Sequence, residues 1–111
     1  MRRLFIIARD KALRHALRDY ISLTGIGAAI DDGPDLFSFH PSSGGAVLTP
    51  APEMSPGTAA YLKSGHDMRV LVLAPIPTDL AKNEYERHGA IYVPMTVQRE
   101  LLVQPLLRLL A

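Results

Sequence analysis

Cysteine is absent from the 111 residues. That excludes a disulfide framework, a thiolate nucleophile and a thiolate metal site, and leaves no direct clue to redox compartment. A marked excess of one charge sign is missing too. Lys and Arg number 12 against 11 Asp and Glu, a formal net charge of +1, too little for an electrostatic nucleic-acid binder unless the cations gather on one face. The longest strongly apolar run, residues 70–77, falls far short of the roughly 20 residues of a membrane helix. Met1-Arg2-Arg3 followed by Leu4-Phe5-Ile6-Ile7 starts like a signal peptide, but the apolar part stops at Ala8, before Arg9-Asp10, too short for an h-region. What is present is ordinary: 48% hydrophobic and 21% charged residues, a length that suits one compact domain over 1–111. The composition predicts a soluble, cytoplasmic, single-domain protein.

Short β-rich runs alternate with helical periodicity. The bare apolar run at 4–7 reads as a strand covered on both faces. Asp10 is placed to cap a helix in which Leu13, Ala16, Leu17, Tyr20 and Ile21 recur at three- and four-residue spacing, with Gly25 as its stop signal. Residues 26–30 read as a weaker strand ending in the turn Asp31-Asp32-Gly33. Residues 34–39 suit one or two helical turns, and 40–45 a loop. A third strand at 46–49 is stopped by Pro50-Ala51-Pro52. Ser55 as cap and Pro56 at the first helical position open a helix through Lys63, closed by Ser64-Gly65. The clearest strand is 69–74. Thr78 caps a helix to about His88 with Gly89 at its end, a fifth strand follows at 90–93, and 97–110 form the last helix. Five strands alternating with five helical segments predict an α/β fold. It has a parallel five-stranded sheet of order 2-1-3-4-5 with helices on both faces, the second helix short or irregular.

Ligands of such a sheet sit at the carboxyl ends of the strands near the switch point. The residues there are Ala8, Arg9 and Asp10 after strand one, Thr49 at strand three, Ala74 after strand four, and Pro94-Met95 after strand five. The chain resembles the receiver domains of two-component response regulators. Residues 4–17, LFIIARDKALRHAL, line up without a gap on that family's opening strand, acidic turn and first helix. Val70-Leu71-Val72-Leu73-Ala74-Pro75 looks like its fourth strand, and 89–102, GAIYVPMTVQRELL, is similar to its fifth strand, Lys-Pro turn and final helix. Only residues 31–43 are shorter than the usual second-helix region.

The resemblance implies a phospho-acceptor Asp where this chain has Thr49, and an acidic magnesium pair where it has Ala8 and Arg9, with Asp10 beside them. It also implies a Thr or Ser at Ala74 and a Lys at Met95. An arginine cannot ligate magnesium, and acceptor, metal cage, hydroxyl and cation all depart from the pattern. Over nearly its whole length the chain therefore resembles a pseudo-receiver, atypical, non-enzymatic and phosphorylation-independent, with neither cofactor nor metal assigned. Atypical receivers of this kind occur in transcription regulators and in pilus-assembly localisation ATPases. If the chain is part of a longer protein, the resemblance implies an output region after Ala111.

Other motifs carry less. Arg9 has the chemistry to hold an anion, or to pair with Asp10, Asp32 or solvent. Asp31-Asp32 read as turn residues, and His15, His40, His66 and His88 lack close ligand spacing. Ser42-Ser43-Gly44-Gly45 lacks the ending of a phosphate loop. Six of the 12 cations fall in the first eighteen residues, but without interleaved aromatics, which argues for a solvated face and against nucleic acid. The last helix stands out, because its leucines exceed the roughly 100° stripe one sheet needs and Pro105 interrupts it. The predicted interface for a protein partner or a homodimer therefore comprises Tyr92, Val97, Leu102, Leu106, Leu109 and Leu110, on the face of the fourth helix, fifth strand and fifth helix through which receivers commonly dimerise. The competing reading is a sensor that binds a small anion around Arg9 and Thr49.

Overall fold

The computed structural model describes residues 3–25, 27, 29–35, 45–51, 53–95 and 99–110. Their elements are β1 (Arg3–Ile7), α1 (Lys11–Ser22), β2 (Ala29–Gly33), β3 (Ala46–Pro50), α2 (Pro56–His66), β4 (Arg69–Ala74), α3 (Asp79–Arg87), β5 (Ile91–Pro94) and α4 (Arg99–Leu110). All strand pairs are parallel, and the sheet order is β2-β1-β3-β4-β5. This is the predicted α/β architecture. The turns expected from Leu36 onward, the Ser42–Gly44 part of the loop, His40 and Val97 lie outside the described residues.

Strand alternation sorts the core into two layers. Leu4, Ile6, Leu48, Leu71 and Leu73 pack with Leu17 and Ile21 of α1 and with Leu102, Leu106 and Leu109 of α4. Phe5, Ile7, Val47, Val70, Val72 and Ala74 pack on the other face with Ala59 and Leu62 of α2 and Tyr85 of α3. The middle strands are bare apolar runs because both their faces are covered, and each fully buried leucine or isoleucine there contributes about 1.5–3 kcal/mol.

Three helices begin where the sequence places their caps. Asp10 accepts from the Leu13 amide, Ser55 from Thr58 and Thr78 from Ala81. Their ends differ from expectation. The first helix stops at Ser22, short of Gly25, and the α2 helix runs through Gly65 to His66. Asp67, at φ 52, makes the left-handed turn after it instead, a conformation its short polar side chain tolerates.

The second strand is displaced from 26–30 to Ala29–Gly33. The expected Asp31-Asp32 turn is strand because α1 satisfies the acid: Arg14 Nε lies 3.0 Å from Asp32 and Arg18 Nη1 pairs with its other oxygen. Arg14 also donates to the Ala8 carbonyl at 2.8 Å and Arg18 to Ile30 at 3.2 Å, fastening α1 over β2. Burial alone would raise the Asp32 carboxyl, but the hydrogen bonds and charges of Arg18 and Arg14 hold it below its ordinary value.

The last helix is one continuous element with Pro105 inside it, and its leucines correct the predicted interface. Leu102, Leu106, Leu109 and Leu110 are 2%, 0%, 2% and 6% exposed, and Tyr92 is 8% exposed. These residues are core, because α4 lies flat over the sheet and buries more than one narrow stripe. Leu101 and Leu107 point outward, at 56% and 42% exposure.

Candidate functional site: the carboxyl edge of the sheet

The carboxyl ends of β1, β3 and β4 bring part of the predicted crevice together. By alternation, Thr49 shares the sheet face of Ile7, Val47 and Ala74, and Arg9 lies in the bend that follows β1. Met95 does not join them: its amide donates to the Ala74 carbonyl at 2.8 Å, but its side chain packs against the opposite layer. Ala8 is fully buried, its amide donating to Gly33 and its carbonyl accepting from Arg14. Asp10 serves as the α1 cap, so its carboxylate already accepts from the helix.

Thr49 sits opposite Val72 of β4, wholly buried. Its hydroxyl is inaccessible to solvent and has no hydrogen-bond partner among the described residues. A nucleophile or phospho-acceptor must be reached by the group it takes, and this hydroxyl is closed off. Arg9 is exposed and pairs through its backbone, whose N–H donates to Glu53 Oε1 at 2.6 Å. The expected alternative pairing of Arg9 with Asp32 does not arise, since Arg14 and Arg18 hold that carboxylate.

Glu53 is the residue that sequence reasoning passed over. It lies 44 positions from Arg9, in the connection between β3 and α2, and nothing in its neighbourhood signals the contact. That connection is tightly held. The Ala51 amide donates to Leu73 at 2.7 Å and the Glu53 amide to Pro50 at 3.0 Å. Met54, 3% exposed, accepts at its carbonyl from the Tyr85 hydroxyl at 2.5 Å. Burial first, and the neighbouring Tyr92 second, push the Tyr85 phenol above its ordinary value. No group of three or more His, Asp or Glu among the described residues is arranged to hold a metal ion.

A second surface lies on the α3–β5–α4 side, the counterpart of the predicted fourth-helix, fifth-strand and last-helix face. A cleft of about 300 Å³ there is lined by Glu86, Gly89, Ala90, Ile91, Tyr92 and Arg108. The Tyr92 hydroxyl accepts from the Thr78 amide at 3.2 Å. At the carboxyl edge, Ile76 and Leu80 stand 84% and 80% exposed, a feature the apolar run at 70–77 concealed because its burial ends at Ala74. No helix among the described residues is long and apolar enough to cross a membrane. Neither a scan against protein-family models nor a search of curated proteins finds a match to this chain.

Proposed function

We propose that this chain is a receiver-like regulatory module of the cytoplasm that acts by protein contact, without enzymatic activity and without accepting a phosphoryl group. One observation carries the reading. At the carboxyl edge of a 2-1-3-4-5 sheet, the position of the acceptor holds a buried, unreachable Thr49, and the amide after β1 is already occupied by the chain's own Glu53 carboxylate. An external anion would meet that carboxylate first, which weighs against the small-anion reading around Arg9.

The contact surface is the α3–β5–α4 side, with Leu101 and Leu107 in place of the buried leucines. Glu86 and Arg108 line one cleft, so each copy offers an acid and a base, as a two-fold pair of copies requires. Light scattering over a concentration series tests this. A dimer dissolved by Leu101→Glu and Leu107→Glu, with the far-UV spectrum unchanged, supports it. A monomer at every concentration sinks the homodimer. Incubation with acetyl phosphate and magnesium, read by intact mass, is the companion test: a stable gain of one phosphoryl group would overturn phosphorylation independence.

A further inference from the structure

Between β3 and α2, the described residues Glu53, Met54 and Ser55 each hold a partner in another part of the fold or in the next helix. On one side, the Glu53 carboxylate takes the Arg9 amide at the end of β1. On the other, the adjacent Met54 carbonyl takes the Tyr85 hydroxyl of α3. Tyr85 stacks on Tyr92 of β5 with centroids 5.7 Å apart and planes 23° apart. The Tyr92 hydroxyl closes the series on the Thr78 amide, at the cap of α3. The Glu53 amide also donates to the Pro50 carbonyl at 3.0 Å, and Met54 is its neighbour in the chain. Ser55 then caps α2 through Thr58, which pins the far end of the segment.

Each link has a physical reason to hold. A hydrogen bond to a carboxylate is stronger than one between neutral groups. The Tyr85 hydroxyl is buried, and leaving such a donor unpaired costs more than a typical bond contributes. Stacked rings in a packed interior have few alternative positions.

We propose that Glu53 and Met54 form a built-in strap. Glu53 on the Arg9 amide and Met54 on the Tyr85 hydroxyl together fix α3 against β5, so an internal carboxylate sets the α3–β5 part of that surface. The strap takes its functional meaning from the contact reading above, but its physical content stands apart from it. Contiguity alone does not establish coupling, so the test measures coupling directly.

Amide hydrogen exchange is followed on the full chain for the wild type, Glu53→Ala, Glu53→Gln, Tyr85→Phe and the Glu53→Ala/Tyr85→Phe double variant. Glu53→Ala is expected to speed exchange across residues 79–94 about tenfold, with the core amides of Ile6 and Leu48 unchanged, as a local opening requires. Glu53→Gln, whose amide oxygen still accepts from Arg9, is expected to stay within about threefold of wild type. Tyr85→Phe should give the same acceleration, and the double variant no more than either single. An acceleration confined to residues 8–14 and 50–56 overturns the strap. So does a uniform acceleration of every slow amide, or full additivity in the double variant. The readout needs no partner, so a strictly monomeric chain would remove the homodimer and leave this result intact.

Discussion

Thr49→Val is the sharpest perturbation the fold offers. The residue is 0% exposed, pairs with Val72 across the β3–β4 ladder, and carries a hydroxyl with no hydrogen-bond partner among the described residues. A buried polar group left unpaired costs about 1–3 kcal/mol. Valine keeps the branched shape, suits a strand and removes that cost. The backbone ladder is untouched, because neither the amide nor the carbonyl of residue 49 changes. The expected gain is about 1–2 kcal/mol, or roughly 4–8 °C in melting temperature for each kcal/mol in a domain of this size. Urea denaturation measures it: the midpoint should rise with the slope unchanged, since the same surface is exposed on unfolding. A Thr49→Val variant less stable than wild type by more than about 0.5 kcal/mol would refute the reasoning, for it would mean that the hydroxyl is paired in solution. The opposite change gives the functional contrast. Thr49→Asp places a carboxylate in the same enclosed position. It should lower stability by several kcal/mol or raise the carboxyl's own pKa, without yielding a phosphorylatable protein.

Three further outcomes rest on the packing. Leu106→Ala, at a position with no exposed surface, should cost about 3–5 kcal/mol by denaturant titration, whereas Leu107→Ala on the same helix should stay within about 0.5–1 kcal/mol. Asp32 binds its proton less readily folded than unfolded, so its contribution is complete above the ordinary carboxylate value of 3.8 and is lost as pH falls through the lowered folded value; Asp32→Asn should flatten that part of the acid-unfolding curve. Gly89 has φ +88, and a Cβ there would meet Lys63 Cδ at 2.7 Å. The lysine end can swing aside, so Gly89→Ala should cost mainly the backbone strain of about 1–2 kcal/mol, seen as a lower melting temperature.

The fold is legible where local chemistry and tertiary demand agree. The runs 4–7, 46–49 and 69–74 are apolar at nearly every position because parallel strands in the middle of a covered sheet have no solvent face. The caps Asp10, Ser55 and Thr78 are legible because a cap acts on an amide three residues away. The second strand is hidden because its acids look like turn chemistry until Arg14 and Arg18 are placed beside Asp32, 18 and 14 residues distant. The last helix misleads for a related reason. Its leucine count shows an excess over one stripe, but not which leucines the sheet covers, and the outward ones are Leu101 and Leu107.

The sequence by itself determined the α/β alternation and the strand order expected at this size. Those follow from composition, spacing and short-range hydrogen bonding. Only the tertiary structure decided that Thr49 is sealed, that Glu53 meets the Arg9 amide, and that Tyr85 reaches the Met54 carbonyl across 31 residues. Burial and long-range pairing depend on which elements the sheet brings together, and no local pattern around a single residue encodes its partner across the fold.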